Sequence, residues 1–294
     1  MGAPFLFVEH DGRMTEIFGR PVAEAGTLSC NMPSDSNVVR RGLRSLKLRT
    51  PAGRAAKTAE EAEARAIQTR LLPITISQIA GFEIATAWQP SEEVSGDYFD
   101  VFPLPRDAMA LCIADVSGKG IAAASLASEV RDAVRKFAPD AAAPAELCTL
   151  VNQTLSRPGQ TRYVTMFYGM LDGATRLLRY ESAGHCLPLL VRGDGSVWFP
   201  ASFSGLMGLF SHWLYQTQEV HLREGDCLLL ITDGILQAEN RKGEEFGYKR
   251  LITAVGNGQA RSAGALGQEI LAEVTKFSGG KLEDDASLIV VRVL

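Results

Sequence analysis

Cysteine is scarce and scattered: the five in this 294-residue chain, Cys30, Cys112, Cys148, Cys186 and Cys227, each stand alone. The close Cys/His pairs of a zinc site and the dense spacing of a small disulfide scaffold are both missing, which excludes those classes and fits a reducing cytoplasm. No apolar run approaches the ~20 residues that span a bilayer. The opening MGAPFLFVEHDGR lacks the basic n-region and long h-region of a signal peptide, and Leu6 stands where a myristoylation signal wants Ser or Thr. The sequence therefore predicts a cytoplasmic protein with no membrane contact of its own. A basic excess is absent too: 30 Lys and Arg against 34 Asp and Glu give a formal net charge of -4, so no nucleic-acid partner is expected. Internal repeats and low-complexity tracts are lacking.

What remains, 46% hydrophobic and 22% charged residues, is the composition of an ordinary globular chain. Residues 1–50 show no sustained periodicity, and the stretch Arg40, Arg41, Arg44, Lys47, Arg49 reads as a solvated face; this N-terminal segment is assigned no role. Residues 51–75 change to AGRAAKTAEEAEARAIQTRLL, a helix-favouring composition ended by Pro73, with Ala59, Ala62, Ala66, Ile67 and Leu71 in a narrow apolar stripe. This predicts a linker helix that packs on a neighbouring domain. Residues 76–294 form that domain.

There the pattern turns to short β-rich runs: FEIATAW, DYFDVF, AMALCIADV, RYVTMFYGML, RLLRYESA, LPLLV, YQTQEVHL, CLLLIT and ASLIVVRVL. LPLLV and SVWF flank Arg192-Gly193-Asp194-Gly195, a hairpin signal because glycine accepts the positive φ of tight turns. Helices are expected over Ile121–Phe137, Ala145–Leu155, Tyr248–Val255 and Ala263–Phe277. Strands in series with paired helices between them predict an α+β fold, mainly antiparallel sheets covered by helices rather than repeating βαβ units.

Four acidic positions share one setting, a strand end or turn beside small residues: Asp97 in SGDYFDVF, Asp115 in IADVSGKG, Asp233 in LLLITDG, and Asp284 with Asp285 in LEDDASLIVV. Asp and Gly are common turn residues, so each alone proves little. Asp115 and Asp233, however, close unusually apolar strands, LCIA and LLLIT, at the edge of a buried sheet. Carboxylates so placed suit a hard cation such as Mg2+ or Mn2+, and no His/Cys set competes. Asp100 lies three positions from Asp97, an odd offset in a period of two, and is expected on the opposite strand face in a structural role. Ser117 and Ser125 read as a turn serine and a helix-face serine rather than nucleophiles. The glycines of SGKG read as a tight turn opening the helix at Ile121, and Lys119 there lacks the rest of an NTP-binding loop.

Periodicity does not show that the four acids converge. The strings SGDYFDVF, ADVSGKGIAAA, SAGH, LLLITDGILQAEN and DDASLIVV, in that order, preceded by AIQTRLLP and Trp88-Gln89-Pro90, resemble the stage II sporulation protein E-like branch of the PPM (type-2C) protein phosphatases over residues 60–294. The resemblance implies a layered β-sandwich flanked by helix pairs, with two Mn2+ or Mg2+ ions at one end. Asp115 would bridge both ions; Asp97 and the backbone carbonyl of Val116 would hold the second, Asp233 and Asp284 the first, and Asp115 and Asp97 would act catalytically through metal-bound water. His185 in SAGH falls in a segment expected to serve a hydrogen-bonded turn. Ser95, where the branch has a glycine, Gln237, where an acid is common, and the lack of an evident phosphate-clamping arginine are departures.

The implied activity is hydrolysis of phosphoserine or phosphothreonine on a regulatory protein, an anti-sigma-factor antagonist, under an upstream activator protein, with homodimer formation through the helix before Pro73. Two alternatives stay open: a catalytically weak scaffold that binds a regulatory partner, and a two-metal small-molecule phosphoesterase.

Overall fold

The computed structural model describes residues 7–10, 13–16, 75–91, 95–159, 161–200, 204–257 and 261–294. The linker helix expected over residues 51–75 lies outside them, apart from its last residue. Near the N-terminus β1 (Phe7–His10) pairs antiparallel with β2 (Arg13–Glu16). The two residues between them in the sequence are Asp11 and Gly12, a hairpin signal hidden in a stretch otherwise without periodicity.

The main body is two five-stranded antiparallel sheets. One is built from β4 (Tyr98–Leu104), β5 (Ala108–Val116), β6 (Val164–Asp172), β7 (Leu177–Ala183) and β10 (Gln218–His221), in the order β10-β7-β6-β5-β4. The other holds β3 (Phe82–Gln89), β8 (Leu189–Val191), β9 (Val197–Trp198), β11 (Cys227–Ile231) and β12 (Ala286–Val293), in the order β3-β12-β11-β8-β9. Helices α1 (Ile121–Phe137) and α2 (Pro144–Leu155) cover the first sheet; α3 (Asp233–Leu236), α4 (Gly247–Asn257) and α5 (Ala263–Phe277) cover the second.

Side-chain alternation along each strand sorts the apolar residues into three layers. Ala110, Cys112, Ala114, Tyr98 and Phe102 face α1 and α2. Leu229, Ile231, Leu288 and Val290 face α4 and α5. Phe99, Val101, Leu111, Ile113, Leu228, Leu230, Ile289 and Val291 fill the space between the sheets. This is the α+β sandwich expected from the sequence. Strand β10 begins only at Gln218, because the residues before it are otherwise engaged: Tyr215 is buried among the α1–α2 layer, Gln216 donates its N–H to Glu181, and Thr217 accepts from the Ala145 N–H at 3.1 Å.

Candidate metal centre

At one end of the inter-sheet layer the apolar residues give way to polar ones on the same faces. Asp115 follows Leu111 and Ile113 by the period of two on β5, and Asp97 precedes Phe99 and Val101. Opposite them, Thr232 continues the face of Leu228 and Leu230, and Ser287 and Asp285 continue that of Ile289 and Val291. Sheet alternation thus brings Asp97, Asp115 and Asp285 to one inter-sheet face, while Asp233 and Asp284 are each one position out of that alternation. Asp100, on the other face of β4, receives Arg135 of α1 in a two-pronged contact at 2.7 and 2.8 Å and the Tyr98 hydroxyl at 3.1 Å. It serves packing, as its odd offset predicted.

Asp97 is 3% exposed. The Ser287 hydroxyl donates to its Oδ2 at 2.6 Å and the Thr232 hydroxyl to the same oxygen at 2.9 Å. Thr232 and Ser287 are themselves tied across the sheet, Thr232 N–H to Ser287 O at 3.0 Å and Ser287 N–H to Thr232 Oγ1 at 2.9 Å. Burial holds the Asp97 carboxyl well above its ordinary pKa, the charges of Asp115 and Asp285 push the same way, and the two hydroxyls offset only part of this. None of the groups acting on it is basic. A carboxyl kept among other carboxylates in this way invites a cation.

Asp285, by contrast, has both oxygens engaged by backbone and hydroxyl donors. Oδ1 accepts from Ser91 N–H at 2.8 Å and from the Ser91 hydroxyl at 3.1 Å, and Oδ2 accepts from Gly96 N–H at 2.9 Å. It clamps the loop that carries Asp97. A Cβ on Gly96 would stand 3.1 Å from the Val116 carbonyl oxygen, so that carbonyl lies against the same loop. Ser95, fully buried, accepts the Asp97 N–H at 3.0 Å, and the chain thereby puts a capping hydroxyl where the resembled branch has glycine.

Asp233 opens α3, and its neighbour Gly234 presses on the backbone of Asp284 and Asp285: a Cβ there would overlap the Asp285 carbonyl. Only glycine permits this approach, which sets Asp233 beside Asp284. Burial raises the pKa of Asp284, Lys119 opposes that, and Asp233 adds to it. The Lys119 ammonium is 3.9 Å from Asp284 Oδ1 and donates to the Glu283 carbonyl at 2.6 Å. Its loop is shaped by Gly118 and Gly120, at φ 110° and 71°, values that a side chain disfavours. Ser117 is used locally, accepting the Tyr163 N–H at 2.8 Å, and Ser125 is exposed on α1.

Among the described residues no three His, Cys, Asp or Glu side chains close into a ready ligand set. The acids stand as two pairs: Asp115 helps raise the pKa of Asp97, and Asp233 that of Asp284. His185 is 9% exposed, and its Nδ1 is 2.8 Å from the Thr165 hydroxyl. Burial drives its pKa down to about 4, with the Ile231 backbone pulling weakly the other way, so the ring is neutral near pH 7. A neutral ring has no proton to give as an ordinary general acid. The positioning residues that sequence reasoning missed are Thr232 and Ser287, and Asp285, read there as an acid beside Asp284, is a loop clamp; Thr232 adjoins Asp233 and Ser287 follows Asp285 by two, which is the signal that would have found them.

The stage II sporulation protein E (SpoIIE) family model matches residues 105–294, well over half of the chain. The phosphoserine phosphatase RsbU of Bacillus subtilis is 26% identical over 230 residues, covering 77% of this chain and 68% of RsbU. The chain spans only 24–44% of four other curated relatives. The SiaA-PP2C domain of Pseudomonas aeruginosa superposes with a TM-score of 0.71 at 20% identity, over 83% of this chain and 100% of that one. The catalytic domain of the serine/threonine protein phosphatase PstP, solved in complex with two manganese ions, superposes with a TM-score of 0.54 at 16% identity, over 72% and 98% of the two chains. The structural likenesses establish the fold, and among the described residues no helix is long and apolar enough to cross a membrane. With the family model reaching from the end of β4 through β12, the chain belongs to the stage II sporulation protein E family of PP2C-type serine/threonine phosphatases.

Proposed function

We propose that this chain hydrolyses phosphoserine or phosphothreonine on a regulatory protein, at a centre holding two Mn2+ or Mg2+ ions through Asp97, Asp115, the Val116 carbonyl, Asp233 and Asp284. The donor set fits such ions: carboxylate and carbonyl oxygens, hard ligands without sulfur or imidazole among them. The observation that carries the reading is the buried Asp97 carboxyl, facing Asp115 and Asp285 with no basic group acting on it. When bound, the two ions supply an activated water and neutralise charge that develops at phosphorus.

The protein's own residues do the rest. Thr232 and Ser287 hold Asp97 by one oxygen, Oδ2, and so fix the direction of the other. Asp285 fixes the loop behind it, and the Gly234 contact keeps Asp233 and Asp284 together. Hydroxyl donors turned toward a carboxylate in this way orient it for a metal. An anti-sigma-factor antagonist is the substrate class we favour; a phosphoprotein substrate is supported by RsbU, a phosphoserine phosphatase matched over 77% of this chain. An upstream activator and a homodimer through the helix before Pro73 belong to the same proposal.

The test is direct. Mn2+ should bind by calorimetry, and para-nitrophenyl phosphate should be hydrolysed with Mn2+ and not after chelation. Asp115→Asn should lower kcat by at least about 100-fold, the scale of losing a group that acts in the transition state, while circular dichroism stays native. Full activity of that variant would refute the role of Asp115.

A further inference from the structure

The turn at Asn240–Arg241 and the segment from Ser278 to Glu283 line a cleft of about 500 Å3. Its wall runs into the metal centre on two sides: Glu283 precedes Asp284, and Ser91, which also lines the cleft, is bonded to Asp285. Arg241 and Lys281 are exposed in it, and neither makes an ion pair with a described residue. Arg157, by comparison, holds Glu129 at 2.7 Å, and Arg131 holds Asp132 at 3.0 Å.

Arg241 is also carried on a fixed turn. Asn240 N–H donates to the Glu244 carbonyl at 3.0 Å, and Asn240 Oδ1 accepts from Lys242 N–H at 2.8 Å and Glu244 N–H at 3.1 Å. A rigid perch for a side chain without an ion pair among the described residues lowers the entropy lost when that side chain takes a partner. Glu239 and Glu283 share the lining. Free phosphate or a nucleotide, negative throughout, would meet both glutamates, whereas a polypeptide presents carboxylates, N–H and carbonyl groups in alternation and can answer both signs.

We propose that this cleft takes the polypeptide flanking the phosphorylated residue, and that Arg241 and Lys281 select a carboxylate in that flank. The assignment rests on the phosphatase reading above. It makes sequence preference a property of a surface separate from the metal acids yet one residue away from them.

Two phosphoserine peptides of equal length, one with acidic and one with neutral flanks, test it in Mn2+, beside para-nitrophenyl phosphate. Wild type should favour the acidic flank in kcat/KM by about 1.5- to 5-fold for each ion pair formed. Arg241→Glu/Lys281→Glu should abolish or invert that ratio, and because the ratio is the readout, a general loss of activity cancels. Should the double variant be inactive on everything, Arg241→Glu alone carries the same comparison. An unchanged ratio in the variant, or no preference in a wild type that cleaves the aryl phosphate, overturns the cleft assignment alone. A wild type that cleaves neither peptide nor aryl phosphate overturns the phosphatase reading and this assignment with it.

Discussion

Asp97→Asn should make the metal-free protein more stable while removing its response to metal. In the wild type a carboxylate at 3% exposure faces Asp115 and Asp285. The effective penalty for such a buried charge is several kcal/mol. Hydroxyl hydrogen bonds to a charged acceptor return about 1.5–3 kcal/mol each, and the amide oxygen of Asn keeps weaker versions of those from Ser287 and Thr232. The net gain is on the order of 1–2 kcal/mol, which in a domain of this size raises Tm by roughly 2–8 °C. The pH dependence follows the same sign. The folded pKa lies above the ordinary 3.8, so the folded protein keeps a proton that the unfolded chain has released. Chelated wild type should therefore lose stability as pH rises from 3.8 through that raised pKa, and the variant should lack this contribution. Adding Mn2+ at about 100 times its Kd should stabilise wild type by about 2.7 kcal/mol and leave the variant nearly unmoved. Differential scanning calorimetry in chelator and in Mn2+, at several pH values, reads all of this. A chelated variant that melts below wild type, or equal Mn2+ shifts in both, would refute the view that Asp97 is strained for a cation.

Two further predictions concern residues outside the ligand set. Arg135→Ala strands Asp100, whose side chain is 4% exposed, with only the Tyr98 hydroxyl for company; urea unfolding should show a loss of about 2–4 kcal/mol with the m-value kept. His185, at a pKa near 4 instead of 6.5, stays neutral through the physiological range. Its contribution to stability is present above pH 6.5 and lost as pH falls toward 4, and its ring resonances should titrate near 4 by NMR, where a midpoint near 6.5 would contradict the buried setting.

The parts of this fold written in local pattern were legible. Alanine-rich amphipathic periodicity marked α1 and α5 to the residue, because their inner faces, such as Val130 and Val134 or Ile270 and Val274, recur at helical spacing. The period of two on β4 separated Asp97 from Asp100, since opposite strand faces meet different layers. What local pattern does not carry is partnership across long separations. Arg135 meets Asp100 over 35 positions, and Ser287 meets Asp97 over 190; nothing in the strings around them names the partner. Asp285 looked like a second acid beside Asp284, and only its bonds to Ser91 and Gly96 show it as a loop clamp. Convergence of all four acids is implied by resemblance to a family; the sandwich itself sets Asp97 near Asp115 and Asp285, and Asp233 beside Asp284.

Strand β12 pairs with both β3 and β11, and Asp285 just before it reaches back 194 residues to Ser91. A chain cut before Asp285 would leave β3 parted from β11 and the loop that carries Asp97 without its clamp. On the proposed phosphatase reading, a chain clipped there should be silent rather than partly active.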